Sequence, residues 1–173
     1  GGWVTGNIDS YSKVCANMAK MTGHKVVSVD YRLAPEHPFP AGLEDCYQVA
    51  KAFITNNNIN NSEVTIIGDS AGGNLAAALS LLARDRNEFR IKRQILIYPE
   101  TYNDYGETSP FRSVHDNGTD FLLTSKRIGD YMDLYKNKDE DALSPYFAPL
   151  LTENFTNQPD TLIITAEFCP LRD

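Results

Sequence analysis

Apolar residues Tyr11, Val14, Cys15, Met18 and Met21 recur every three or four positions between Asp9 and Met21. That period predicts a surface helix with one buried face, Asp9 or Ser10 at its N-cap and Gly23 just past its end. "KVVSVD" (25–30) is a short apolar run expected to be a strand. The proline-rich "YRLAPEHPFPAG" that follows excludes regular structure. A second helix is expected from about Leu43 to Thr55, with Cys46, Tyr47, Ala50, Phe53 and Ile54 inward, ending at the asparagine-rich "NNNINN". "EVTIIG" then reads as a strand, "DSAGG" as a tight turn, Asn74 to Arg84 as an Ala/Leu-rich helix and "QILIYP" (94–99) as the next strand. Residues 100–123 are polar and irregular. A helix is expected from about Ser125 to Lys136, capped by Thr124 or Ser125, and Thr161 to Thr165 read as a buried strand.

Strands alternating with helices point to the α/β class: a mostly parallel sheet with helices on both faces. No internal repeat or linker divides residues 1–173, which read as one domain. The net charge of −7 argues against a nucleic-acid surface, which needs clustered Lys and Arg. No run of 18 apolar residues exists, so no membrane span is expected. The three cysteines, Cys15, Cys46 and Cys169, are widely spaced with no CxxC or CxxH pattern. No metal site is expected, and a reduced, cytoplasmic compartment is. The sequons at Asn60, Asn117 and Asn154 read as chance matches in an asparagine-rich chain.

The chemistry is concentrated in "EVTIIGDSAGGNLAAALSLLA" (63–83). Gly68-Asp69-Ser70-Ala71-Gly72 fits G-x-S-x-G, a match that arises by chance in roughly one chain in twenty of this length. Its context makes it informative, because an apolar strand ends at Gly68 and a helix begins directly after Ser70. Such a turn lifts a serine Oγ above the sheet. It also places the unpaired N–H groups of the helix start, Ala71's first, where negative charge would develop on a substrate carbonyl. The plainer alternative is a glycine-rich turn in which Ser70 only caps the helix. "GGW" at positions 1–3 is a candidate for further backbone donors, or else a frayed end.

"GGW", "DYRLAPEHPFPAGLED", "GDSAGGNLA", "LIYP" and "PLRD" together resemble the hormone-sensitive-lipase branch of the α/β-hydrolase fold, which includes bacterial carboxylesterases and arylacetamide-deacetylase-like enzymes. The resemblance runs over nearly the whole chain. It implies hydrolysis of short- to medium-chain carboxylic esters through an acyl-enzyme on Ser70, with no cofactor and with Gly1, Gly2 and Ala71 as the oxyanion hole. It also implies a partial fold, lacking N-terminal strands and cap and a C-terminal strand and helix, with residues 100–140 contributing to the lid. In the family's sheet a further strand lies between those matching 25–30 and 63–67, so a slot and open strand edges are expected here. A homodimer is expected of the full-length protein.

Such enzymes order their residues Ser, acid, His. The histidines are His24 before a strand, His37 in the proline loop and His115 in the irregular segment. None stands after the last strand, so the base is expected beyond Asp173. The family's D-P-L-R-D reads Cys169-Pro170-Leu171-Arg172-Asp173 here, with cysteine at the acid position. A neutral thiol cannot stabilise an imidazolium, and loss of the acid from an intact triad costs on the order of 10⁴ in turnover. Three readings stay open: another carboxylate substitutes (Glu100, Asp104, Glu167 or Asp173), the enzyme is weakened, or the scaffold has become a non-catalytic small-molecule receptor.

Overall fold

The computed structural model describes residues 1–60 and 63–173. The sequon at Asn60 extends over positions 61 and 62, which lie outside the described residues. Three strands, β1 (Thr65–Asp69), β2 (Arg93–Ile97) and β3 (Asp160–Ile164), form a parallel sheet in the order β1-β2-β3. Ile67 stands opposite Ile95, and Ile95 opposite Leu162. The helices are α1 (Ile8–Thr22), α2 (Ala41–Asn56), α3 (Ala71–Arg86), α4 (Arg112–Asn117) and α5 (Ser125–Tyr135). Two 3-10 turns, Asp139–Leu143 and Pro149–Leu151, lie between α5 and β3.

Helix α3 is the centre of the molecule. It packs on β1, β2 and α2, and every residue from Gly73 to Ala83 is buried. Its Ala/Leu composition, without an apolar stripe, is what a helix covered on all sides requires. Beside it the rings of Trp3, Tyr135 and Phe147 pack as a triangle, with centroids 4.6 Å apart for Trp3–Tyr135, 5.2 Å for Tyr135–Phe147 and 6.3 Å for Trp3–Phe147. The proline loop clamps this cluster to the chain start. Ala34 N–H donates to the Trp3 carbonyl at 3.0 Å, Phe39 N–H to the Tyr135 carbonyl at 2.7 Å, and Arg32 holds Asp45 of α2 through both carboxylate oxygens at 2.9 and 2.8 Å.

The structure corrects several expectations. Helix α1 forms, but none of its residues is buried, and Val14 and Met21 are 55% and 85% exposed. Its N-cap is Asn7, whose Oδ1 accepts from Ser10 N–H at 2.9 Å. Residues 25–30 join no ladder: an apolar run becomes a strand only beside an edge that can pair with it. Strand β3 is not buried, with Leu162, Ile163 and Ile164 each 44–57% exposed, because it lies at the sheet edge with its side chains largely uncovered by the described residues. Both α2 and α3 begin two or three residues earlier than expected. Helix α4 stands within the segment read as irregular. At α5 Thr124 is the cap, its Oγ1 accepting from Arg127 N–H at 3.2 Å.

Candidate active site

Strand β1 hands over to α3 through a single residue. Ser70 has φ 53° and ψ −121°, a left-handed conformation that a non-glycine residue adopts only under strong local constraint. The constraint comes from both sides. A Cβ on Gly68 would collide with the Gly72 carbonyl oxygen and approach Gly73 N to 2.8 Å, and a Cβ on Gly73 would come within 2.9 Å of Pro99 Cβ. The two glycines let strand, helix and the end of β2 close up, and Ser70 takes the strain. Its N–H donates to the Ile97 carbonyl at 2.9 Å, and its own carbonyl accepts from Asn74 N–H at 3.0 Å. The Ser70 side chain makes no capping bond to α3, so the plain N-cap reading fails and Oγ is left for other work.

Around that hydroxyl lies a cavity of about 30 Å³. Gly2, Ser70, Ala71 and Glu100 supply its polar lining, and Trp3, Leu123, Ile128, Tyr131 and Leu171 its apolar wall. Gly2, Ser70 and Ala71 are thus brought together, while Gly1 is exposed and outside the lining. Gly2 has φ +60°, and a Cβ there would sit 2.5 Å from Tyr131 Cγ. Only glycine fits.

The other singled-out residues disperse. The His24 ring bonds the Thr22 carbonyl, that of His115 bonds the Ser109 carbonyl at 2.8 Å, and His37 is exposed; none lines the Ser70 cavity. Asp104 accepts from Gly106 N–H and Thr108 Oγ1 within its own loop. It faces, with His115, a separate groove of about 600 Å³ against α5 that shares no residue with the serine cavity. Glu167 is exposed. Asp173 accepts from Ser113 N–H at 2.7 Å and from Arg172 Nε at 2.8 Å, and these bonds, Arg172's first, hold its carboxyl below the usual range. Only Glu100, 3% exposed, reaches the cavity. Burial pushes its carboxyl well above the usual value, with Tyr105 and the Tyr102 amide opposing weakly.

A strand-to-helix turn of this shape, closing a parallel sheet and topped by a glycine-bearing loop, has a counterpart among known proteins. A family description of the alpha/beta hydrolase fold matches residues 1–173. The chain belongs to the α/β-hydrolase family. An arylesterase from Saccharolobus solfataricus is 36% identical over 180 residues, covering 100% of this chain and 56% of the relative. A carboxylic ester hydrolase from Mycobacterium tuberculosis is 38% identical over 185 residues, covering 100% of this chain and 47% of the relative. The structure of a Pyrobaculum calidifontis esterase superimposes with a TM-score of 0.90 at 42% identity, covering 100% of this chain and 57% of that one. This α/β hydrolase therefore spans about half the length of the curated relatives it matches.

The turn after β3, where the resemblance implied an acid, holds Cys169, half-buried, with its N–H on the Ala166 carbonyl at 3.1 Å. Beside it stands a cluster that the sequence pattern did not announce. Tyr11 Oη donates to Asp69 Oδ2 at 2.8 Å, and that bond first, then burial, pushes the Tyr11 phenol up to about 12. Tyr98 is raised by burial, then by Asp69 and Cys169. No period or spacing could have found a helix tyrosine bonded to the residue before Ser70. The buried pairing of Trp3 with Asn74 was equally invisible, although "GDSAGGN" carries Asn74 within the motif.

Proposed function

We propose that this chain carries the nucleophile and oxyanion half of a serine carboxylesterase. The observation that supports it is Ser70 itself: a strained, uncapped serine at a helix start, sharing one cavity with Gly2 and Ala71. In this reading Ser70 Oγ attacks the ester carbonyl carbon while its proton passes to a base. The carbonyl π electrons move onto oxygen, where the N–H groups of Ala71 and Gly2, with Gly1 at the outer edge, stabilise the charge. Collapse expels the alcohol and leaves an acyl-Ser70, which water cleaves. None of His24, His37 and His115 lines the cavity, so none of them is assigned as the base. Residues 100–140 act as part of a lid, since Leu123, Ile128 and Tyr131 wall the cavity. The full-length protein should hydrolyse p-nitrophenyl acetate and butyrate, and Ser70→Ala should remove that turnover. Equal turnover in the variant would refute the role of Ser70.

Cys169 in the acid turn favours a second reading, a receptor or weakened hydrolase on the same scaffold. Saturable binding of a short ester without product release would support it.

A further inference from the structure

Glu100 is unexplained by the chemistry above. Its carboxyl is buried at the floor of the serine cavity, and Oε2 accepts from Asn74 Nδ2 at 3.2 Å. Oε1 makes no hydrogen bond among the described residues; the Tyr105 hydroxyl is near enough to favour the ionised form but not in bonding geometry. Asn74 is itself fully buried and uses its whole amide. Nδ2 donates to the Phe147 carbonyl at 2.7 Å as well as to Glu100, and Oδ1 accepts from Trp3 Nε1 at 3.3 Å. This orientation is the one chemistry permits. A flipped amide would set Oδ1 against two acceptors and Nδ2 against the indole N–H.

The far end of the relay is the oxyanion loop. Gly2 and Trp3 both have φ 60°, two successive left-handed residues, the second of them not glycine. Such a turn is held from outside. Its anchors are the Ala34 bond to the Trp3 carbonyl, the Tyr135 ring under the indole, and Asn74 at the indole nitrogen. Of these, only Asn74 joins the loop directly to the helix that carries Ser70. Asn74 in turn is aimed by two acceptors, one a fixed backbone carbonyl and the other Glu100.

We infer that Glu100 is a positioning residue that, through Asn74, fixes Trp3 and with it Gly2 in the left-handed turn facing Ser70. The inference rests on the proposed oxyanion role of Gly2, and goes beyond it in giving the buried acid a task. A neutral carboxyl suffices, because its carbonyl oxygen accepts as the carboxylate would, and burial favours that form. The requirement is an acceptor at this place, not a charge.

The test uses the full-length protein with Glu100→Gln, Glu100→Met and Trp3→Phe. Trp3 is the single tryptophan of residues 1–173, and its emission is isolated by subtracting the Trp3→Phe spectrum. Glu100→Met should red-shift that emission and lower kcat for p-nitrophenyl acetate about tenfold with KM within about twofold, the pattern of lost transition-state stabilisation. Glu100→Gln should restore both. Trp3→Phe keeps an aromatic ring in the cluster but removes the indole N–H, so it should lower kcat similarly, and Glu100→Met should add little on top of it. An unchanged Trp3 emission in a folded Glu100→Met protein overturns the relay, as does a Glu100→Gln as damaged as Glu100→Met. Additive losses in the double variant overturn it also, even where Glu100→Met alone folds poorly. If wild type shows no turnover, the esterase reading fails while the fluorescence arm still decides the relay.

Discussion

Gly2 lies face-on to Tyr131: a Cβ at position 2 would stand 2.5 to 2.8 Å from three ring atoms, at a φ of +60°. Backbone and α5 therefore approach each other at the cavity as closely as a missing side chain allows. Gly2→Ala must push the ring away and strain the turn, which should displace the proposed oxyanion donor, the Gly2 N–H. Loss of one oxyanion donor costs about 10² to 10³ in kcat. Steady-state kinetics on Gly2→Ala should show a fall of that order, with partial recovery when Tyr131→Ala is added. A Gly2→Ala enzyme with normal kcat would remove this glycine from the oxyanion hole.

Cys169 is the next position to test. If this turn still faces the base, Cys169→Asp restores the group that stabilises an imidazolium and should raise kcat by about 10² to 10⁴, with little change in KM. If Glu100 or another carboxylate already serves, the variant gains nothing. Initial rates with p-nitrophenyl butyrate separate the two outcomes.

The pH dependence of stability carries a sign that Glu100 sets. Its folded value is raised above the ordinary 4.5, so the folded state holds a proton that the unfolded chain has released. The favourable term is fully present below about 4.5 and is lost as pH rises toward the folded value. Asp45 behaves oppositely. Its bond from Arg32 lowers it below 3.8, so its contribution is present above that value and lost as pH falls through the folded one. Urea midpoints at pH 5 and pH 8 should therefore fall more for wild type than for Glu100→Gln, which has no proton to release.

Phe147 is fully buried between Tyr135, Trp3 and Phe39, and its carbonyl receives Asn74. Phe147→Ala leaves a cavity under the relay as well as losing transfer energy, and should cost about 3 to 5 kcal/mol. Urea denaturation measures it, and a loss under 1 kcal/mol would show that the aromatic cluster does not carry the core.

Edge strand β3 leaves apolar side chains exposed on both its faces, Leu162 and Ile164 on one and Ile163 on the other, with Phe168 at 60% exposure just beyond it. The 173-residue chain expressed alone should self-associate through it. Ile163→Lys should raise the monomer fraction in light scattering coupled to size exclusion. A soluble wild-type monomer with a single cooperative transition would contradict this.

What the sequence revealed and what it hid divide along a physical line. The strand-to-helix turn was legible because Gly68 is demanded by backbone contact and Ser70 by position, although the motif's second glycine, Gly72, meets no neighbour and the close approach to Pro99 falls on Gly73. The runs that became α2, α3 and α5 were legible from their periods. Burial was not. The apolar positions of α1 and β3 state that a face suits a partner, not that one covers it, and residues 25–30 needed an edge to pair with. The acid turn was readable as an anomaly at Cys169, but the role of Glu100 depends on Asn74 and Trp3, residues 71 positions apart that only the fold brings together. Asn7, not Asp9 or Ser10, caps α1, because its side chain reaches Ser10 N–H three residues on.

Ser70 as an activated nucleophile is tested most directly by incubating the full-length protein with a fluorophosphonate and mapping the product by peptide mass spectrometry. One adduct per chain is expected, on Ser70 in the peptide containing "GDSAGGN", and none in Ser70→Ala. No adduct on folded wild-type protein, or an adduct that persists in Ser70→Ala, would contradict it.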